Sequence, residues 1–305
     1  MDHLPAKGKL ELVDSIGLFT GGCAASASIN ISKIGRSVAI LGKVGNDGFG
    51  SFMRRSLEDA KVITGGLVTD PEGGTSASVV IVDPDGERSF LHSLGTNATF
   101  CEEDIDYKII EDSGIVFVSG TMLMPSFDGD GCAHFLSKAK SMGKITALDT
   151  AWDSKGRWMK VLGPCMQYID YFLPSYEEAV ELSGKTDPDE IADVFLAAGP
   201  HTAIIKLGRN GCLIKSRITG ERFMIPTFTR IKAVDTTGAG DAFCSGFLSA
   251  LAAGRSLYEC GRFANATGTH CVMARGASTG IRSEEEILTF IDEYDRETLR
   301  LQESV

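Results

Sequence analysis

Nine residues, Asp235-Thr236-Thr237-Gly238-Ala239-Gly240-Asp241-Ala242-Phe243, have the types and spacing to do chemistry. Before them, residues 223–234 carry β-branched and aromatic side chains (Phe223, Ile225, Phe228, Ile231, Val234), which predicts an extended approach. After Gly240 the apolar period changes, with Phe243, Phe247, Leu248 and Leu251 on one helix face. The glycines therefore sit at a turn that opens a helix, where the first amides lack intrahelical partners and the dipole is positive. Having no side chains, they let a ligand approach those amides closely, and such a turn is an anion site. Asp241, in the first helical turn, is a poor neighbour for a site that only holds an anion. It suits phosphoryl transfer, in which amides stabilise charge on the moving group and a carboxylate takes the proton of the attacking hydroxyl. For an isolated Gly-Ala-Gly-Asp, the plainer account is an acid that stabilises its own helix beside two turn glycines.

The full nine-residue string resembles the C-terminal signature of the ribokinase-like (PfkB) family of carbohydrate and nucleoside kinases. By that resemblance Asp241 is the catalytic base, and Gly238, Ala239 and Gly240 form the anion hole. It also offers Asp235 and Thr237 as oxygen ligands for a monovalent cation such as K⁺; the alternative is that Asp235 braces the turn.

The elements that must position this turn alternate. A helix carrying Ala24, Ala27, Ile31 and Ile34 on one face stops at Gly35, a buried-type strand spans 37–42, and a helix spans 52–60. From Ile115 the pattern resumes, with strands at 115–119, 145–149, 168–173 and 203–207 and helices at 127–142, 175–182 and 187–198. Short loops between strands and helices predict a three-layer α/β/α fold with a mainly parallel sheet. Cys212–Lys215 and Arg222–Ile225 read as a closing antiparallel ribbon. Residues 75–82 and 87–92 flank Asp83-Pro84-Asp85-Gly86, a hairpin turn signal. Lys9–Thr20 reads as a strand pair that joins this hairpin in a small sheet. The division expected is a core of residues 21–73 and 99–305 with a β lid of 4–20 and 74–98, which the family resemblance makes a cover over the sugar and a homodimer contact.

Further matches carry the resemblance along the chain. Gly21-Gly22 and the Asn46-Asp47-Gly48-Phe49-Gly50 loop fit the N-terminal signature, which implies substrate contacts at Gly21, Gly22, Ser26 and Asn46, with Ser26 standing where many members have Asn. Asn97 is a candidate for substrate hydroxyls or an ordinary turn residue. Ser175-x-x-Glu178 resembles a segment that organises Mg²⁺ and phosphates, so Glu178 would act on Mg²⁺ indirectly. Lys206 and Gly208 match a nucleotide-contacting strand end, and Asn265 matches a position near adenine or is a structural Asn in a helix. Asp149 and Asp153, beside Trp152 after a strand, are further candidate acids. Family members begin with a buried strand ending in a substrate-binding Asp. Here Met1-Asp2-His3-Leu4-Pro5 reads as the segment after it, so the first core strand is expected to be missing; the alternative is that Asp2 is the remnant of that Asp.

The resemblance implies ATP and Mg²⁺ and a sugar or nucleoside acceptor, with a catalytically idle sensor as the alternative class. A net charge of −11 without a long basic run argues against nucleic acid and anionic membranes. No apolar run reaches 18 residues, residues 1–10 lack a signal-peptide core, and none of the eight cysteines forms a CxxC pair, which together predict a reduced cytoplasmic protein without a zinc site. The Gly-x-Ser-x-Gly at 276–280 is discounted as a hydrolase elbow because all five histidines precede it.

Overall fold

The computed structural model describes residues 7–303, apart from Glu11, Asp14 and residues 83–87. Strands β1 (Ala39–Gly45) and β2 (Ile63–Asp70) form a parallel pair, joined by α2 (Gly48–Asp59). Helix α1 (Cys23–Ile34) precedes them; Gly22 at φ 91° starts it and Gly35 at φ 108° ends it. The turn into α2 is built by Asp47, whose carboxylate accepts from the Gly50 amide at 2.7 Å and from the Thr75 amide and hydroxyl at 2.8 and 2.7 Å. Strands β3 (Ala77–Val82) and β4 (Arg88–Ser93) form an antiparallel ribbon.

The main sheet has six strands in the order β10-β9-β8-β7-β6-β5. Here β5 is Ile115–Thr121, β6 Ile145–Thr150, β7 Tyr171–Phe172, β8 Thr202–Lys206, β9 Cys212–Ser216 and β10 Arg222–Ile225. Strands β5 to β8 pair in parallel and the last two antiparallel. The crossovers are α3 (Tyr107–Glu111) before the sheet, then α4 (Asp130–Ser141), α5 (Met159–Leu162), α6 (Tyr176–Ser183) and α7 (Pro188–Ala198). Pro188 at the first position of α7 and the Asp187 cap fit the missing proline N–H and the orphan amides there. Helices α8 (Ala239–Ala252), α9 (Leu257–Val272) and α10 (Glu284–Glu303) cover the other face.

Alternation along the strands makes the two cores. Ala203 and Ile205 pack with Leu148, Phe172 and Phe195 on the crossover side. Ile204 turns to the other side, with Ile214, Phe247 and Phe263. Period-two side-chain direction requires this split once both faces are covered. Burying a side chain such as Phe172, which is fully enclosed, contributes about 1.5–3 kcal/mol. The chain thus has three layers with a mainly parallel sheet and a small antiparallel sheet, as expected.

One expectation fails. The described residues of 9–20 form no strand, and the β3–β4 ribbon pairs only with itself. The described residues of this segment pair with neither open edge of that ribbon, and Leu12 and Ile16 are 89% and 93% exposed. Asp2 and the Asp83–Gly86 turn lie outside the described residues. Among the described residues no backbone ladder joins β1 to β5; α1 packs against both strands and against α8.

Candidate active site

The C-terminal ends of β6, β7 and β8 converge on the N-terminus of α8. Gly238 stands before α8 at φ 76°, a left-handed conformation that L side chains rarely adopt. A Cβ there would also lie 2.6 Å from the Cα of Ala277. The loop at 276–277 thus packs directly behind the turn. Asp235 ties the two together, accepting from the Thr237 amide and the Gly276 amide, each at 2.9 Å. Gly238 has no side chain with which to cap α8, and the Ala239 amide donates to the Thr236 carbonyl at 3.3 Å. Gly238, Ala239 and Gly240, the residues expected to bind an anion, thus stand at a helix N-terminus, where anions can bind.

Asp241 occupies the third position of α8 and is partly exposed. Burial pushes its carboxyl up to about 7, helped by the charges of Asp149 and Glu178 and opposed by Lys206 and the Cys23 thiol. A carboxyl balanced near neutrality is suited to proton transfer.

Beneath the turn lies an ion pair. The Lys206 ammonium donates to both carboxylate oxygens of Asp149, each at 2.8 Å. Their side chains are 11% and 4% exposed. Burial alone would lower Lys206, but Asp149, with Cys244 and Glu178, raises it above the ordinary lysine value. Burial in turn pushes Asp149 up to about 6 against the pull of Lys206. The Cys244 thiol donates to Asp149 at 3.4 Å. Lys206 Nζ is 3.4 Å from where a Gly240 Cβ would stand, directly under the first turn of α8.

Glu178 joins the same group by two routes. Its carboxylate accepts from the Ser175 amide and the Thr150 hydroxyl, each at 3.0 Å, and the Glu178 amide donates to the Ser175 hydroxyl oxygen. Ser175 thus caps α6 while Glu178 closes a reciprocal capping box, and a bridge from Ser175 to Lys206 fixes α6 beside β8.

The other candidates are placed apart from this cluster or are engaged elsewhere. Gly21 and Gly22 are exposed at the start of α1, whose first residue, Cys23, faces Asp241. Ser26 is 1% exposed inside α1. Asn46 is exposed at the end of β1, and Asn97 donates to Ser76 at 3.2 Å at the base of the ribbon. Gly208 follows β8 at φ 56° with open space around it. Asn265 is buried and donates to the carbonyls of Ile225 and Pro226 at 3.1 and 3.3 Å, strapping α9 to the end of β10. Asp153 organises the loop after β6, accepting from the Lys155 and Trp158 amides and from the Arg157 guanidinium.

Sequence reasoning missed the Asp149–Lys206 pair and the Thr150 and Cys23 contacts. Both Asp149 and Lys206 end or nearly end apolar strands, which was the available signal; that they meet follows from β7 alone separating β6 from β8.

The chain is similar to known proteins in sequence and fold. A profile of the pfkB family carbohydrate kinases matches residues 2–284. The chain is 28% identical to an uncharacterized sugar kinase of Archaeoglobus fulgidus, over 83% of this chain and 98% of that one. It is also 28% identical to probable fructokinase-7 of Arabidopsis thaliana, over 94% and 88% of the two chains. The ribokinase of Thermotoga maritima superposes with a TM-score of 0.81 at 27% identity, covering 95% of this chain and 94% of that one. The Arabidopsis thaliana ribokinase complexed with ribose and ATP has a TM-score of 0.84 at 23% identity, over 95% and 93% of the chains, and bears on the fold alone. The chain therefore belongs to the pfkB family of carbohydrate kinases, which are phosphotransferases.

Proposed function

We propose that the chain transfers the γ-phosphoryl group of ATP to a primary alcohol of a sugar, with Asp241 as general base. The observation that carries this reading is the Asp241 carboxyl in the first turn of α8, directly after the left-handed Gly238 turn. Relatives named fructokinase and a structural relative named ribokinase support a sugar acceptor. The archaeal nucleoside kinase with this fold is 20% identical and bears on the fold alone, so the sugar is preferred over a nucleoside.

Asp241 takes the acceptor's proton as the new O–P bond forms and the bond from the γ-phosphorus to the bridging oxygen breaks, leaving ADP. Amides of Gly238, Ala239 and Gly240 stabilise the charge that spreads over the transferring group. Gly208 leaves room for the nucleotide, and Lys206 carries positive charge under the phosphates. Asn265 is the candidate next to the adenine, through the β10 end that it straps. Gly21, Gly22, Ser26, Asn46 and Asn97 lie on the elements that would hold the sugar.

Among the described residues, no three His, Cys, Asp or Glu side chains converge as a metal cage. Mg²⁺ would lean on phosphate oxygens and water, with Glu178 acting through water. When bound, Mg²⁺ neutralises charge between the β and γ groups. The carboxylate and carbonyl oxygens around Asp235 and Thr237 are hard donors of the kind that would hold K⁺. Closure of the β3–β4 ribbon over the core would exclude water. The exposed Val79, Val80 and Leu91 on this ribbon support a homodimer through the lid, which light scattering checks.

The test is phosphorylation of a panel of D-fructose, D-ribose, other hexoses, hexose phosphates and nucleosides by ATP, with and without K⁺. Turnover on a sugar that disappears in Asp241→Asn supports the reading. Turnover on nucleosides alone, or on nothing despite nucleotide binding, contradicts it.

A further inference from the structure

The site encloses three carboxylates and one ammonium: Asp149, Glu178, Asp241 and Lys206. A lysine under a helix N-terminus is unfavourable on its own, because the dipole there is already positive. It persists here because Asp149 holds it from β6 with two 2.8 Å bonds and the Cys244 thiol, one turn along α8 from Asp241, bonds the same carboxylate. The pair is nearly sealed from water, so its charges are weakly screened and act strongly on neighbours.

We infer that the buried Asp149–Lys206 pair, seated under the first turn of α8 with Lys206 Nζ 3.4 Å from where a Gly240 Cβ would stand, is a positioning device that adjusts the charge state of Asp241 within its buried site: Lys206 favours the carboxylate, and Asp149 fixes how much of the Lys206 charge Asp241 feels. This rests on the reading of Asp241 as the base. The groups that face Asp241 are Cys23 from α1, Asp149 from β6, Glu178 from α6, Lys206 from β8, Cys244 on α8 and Cys271 from α9. Burial raises the thiols of Cys244 and Cys271, and the charge of Asp241 raises Cys23, so all three stay neutral around pH 7. Glu178 is held by Ser175 and Thr150. Lys206 is therefore the cation in this set. Removing Lys206 leaves Asp241 facing two carboxylates; removing the Asp149 charge leaves Lys206 to Asp241 and Glu178. The two changes must shift Asp241 in opposite directions. Simple loosening of the core would admit water in both variants and move both the same way, down toward an ordinary carboxylate.

The experiment is a pH titration by NMR of full-length protein labelled with ¹³C at the Asp carboxyl carbon, without ligands. The Asp241 resonance is the one lost in Asp241→Asn. Lys206→Met is expected to raise its midpoint by about one unit or more, Asp149→Asn to lower it by a comparable amount, and Lys206→Arg to leave it near wild type. Where Lys206→Met does not fold, Lys206→Gln takes its place: a higher midpoint beside the lower one of Asp149→Asn supports the inference, and an unchanged or lower one overturns it. Midpoints that move together, or not at all, overturn it as well. The titration needs no turnover, so an Asp241→Asn enzyme that kept its activity would sink the base reading while leaving this result to stand or fall separately.

Discussion

Gly238 packs its Cα face directly onto Ala277, so the turn that opens α8 and the loop behind it have no room for a side chain between them. The same residue needs φ 76°, and Asp235 bonds both segments. Backbone strain and overlap therefore coincide at one position. Gly238→Ala is expected to cost about 1–3 kcal/mol in urea unfolding and to lower kcat by at least about tenfold, because the leading amides of α8 shift. A variant with wild-type stability and turnover would show that the turn tolerates displacement.

The acidic limb of kcat/KM should report Asp241. Its carboxyl, pushed up to about 7 by burial first and Asp149 second, must be ionised to accept a proton. Activity should rise as pH increases through about 7, and a limb near the ordinary carboxylate value of about 4 would contradict this.

Stability should run the opposite way. A raised folded-state value means that the folded chain holds the proton more tightly than the unfolded one. The stabilisation is fully present below about pH 4 and is lost as pH rises through about 7. Asp241→Asn escapes that loss. Its melting-temperature advantage over the parent should be larger at pH 8 than at pH 5, by about 3 °C or more. Equal differences at the two pH values would show that Asp241 is not strained by ionisation.

Glu178 carries two separable duties. Glu178→Gln keeps an acceptor for the Ser175 amide and Thr150 hydroxyl, so stability should fall by less than about 1 kcal/mol. Loss of the negative charge should still lower turnover, with a changed Mg²⁺ dependence. Unaltered kinetics would leave Glu178 only its capping role.

Asn265→Ala tests whether that residue serves the nucleotide or the fold. It strands the buried carbonyls of Ile225 and Pro226, at a cost of about 1–3 kcal/mol. An ATP KM raised well beyond what refolding at lower temperature restores would support the adenine assignment.

Much of the fold was legible because local pattern and tertiary demand agree. The apolar runs at 145–149 and 203–207 became β6 and β8, and Pro188 started α7 where its missing N–H costs nothing. The Asp235–Phe243 string was legible as a turn into a helix because glycine freedom and helix period are local properties. Lys9–Thr20 was misread: its apolar residues suggested strands, but its described residues pair with neither open edge of the β3–β4 ribbon and leave Leu12 and Ile16 exposed, so no burial rewards strand formation there. Asp149 and Asp153 looked alike in sequence. The first meets Lys206 across β7 and the second pins its own loop, a difference set by strand order rather than by spacing.

The most direct measurement is turnover by Asp241→Asn on the acceptor that the wild-type chain phosphorylates, with ATP binding measured alongside. The account predicts a loss of two or more orders of magnitude, about 10² or greater, with nucleotide affinity preserved. Near-full turnover with a folded variant would contradict it and leave the carboxylate as a helix-stabilising residue.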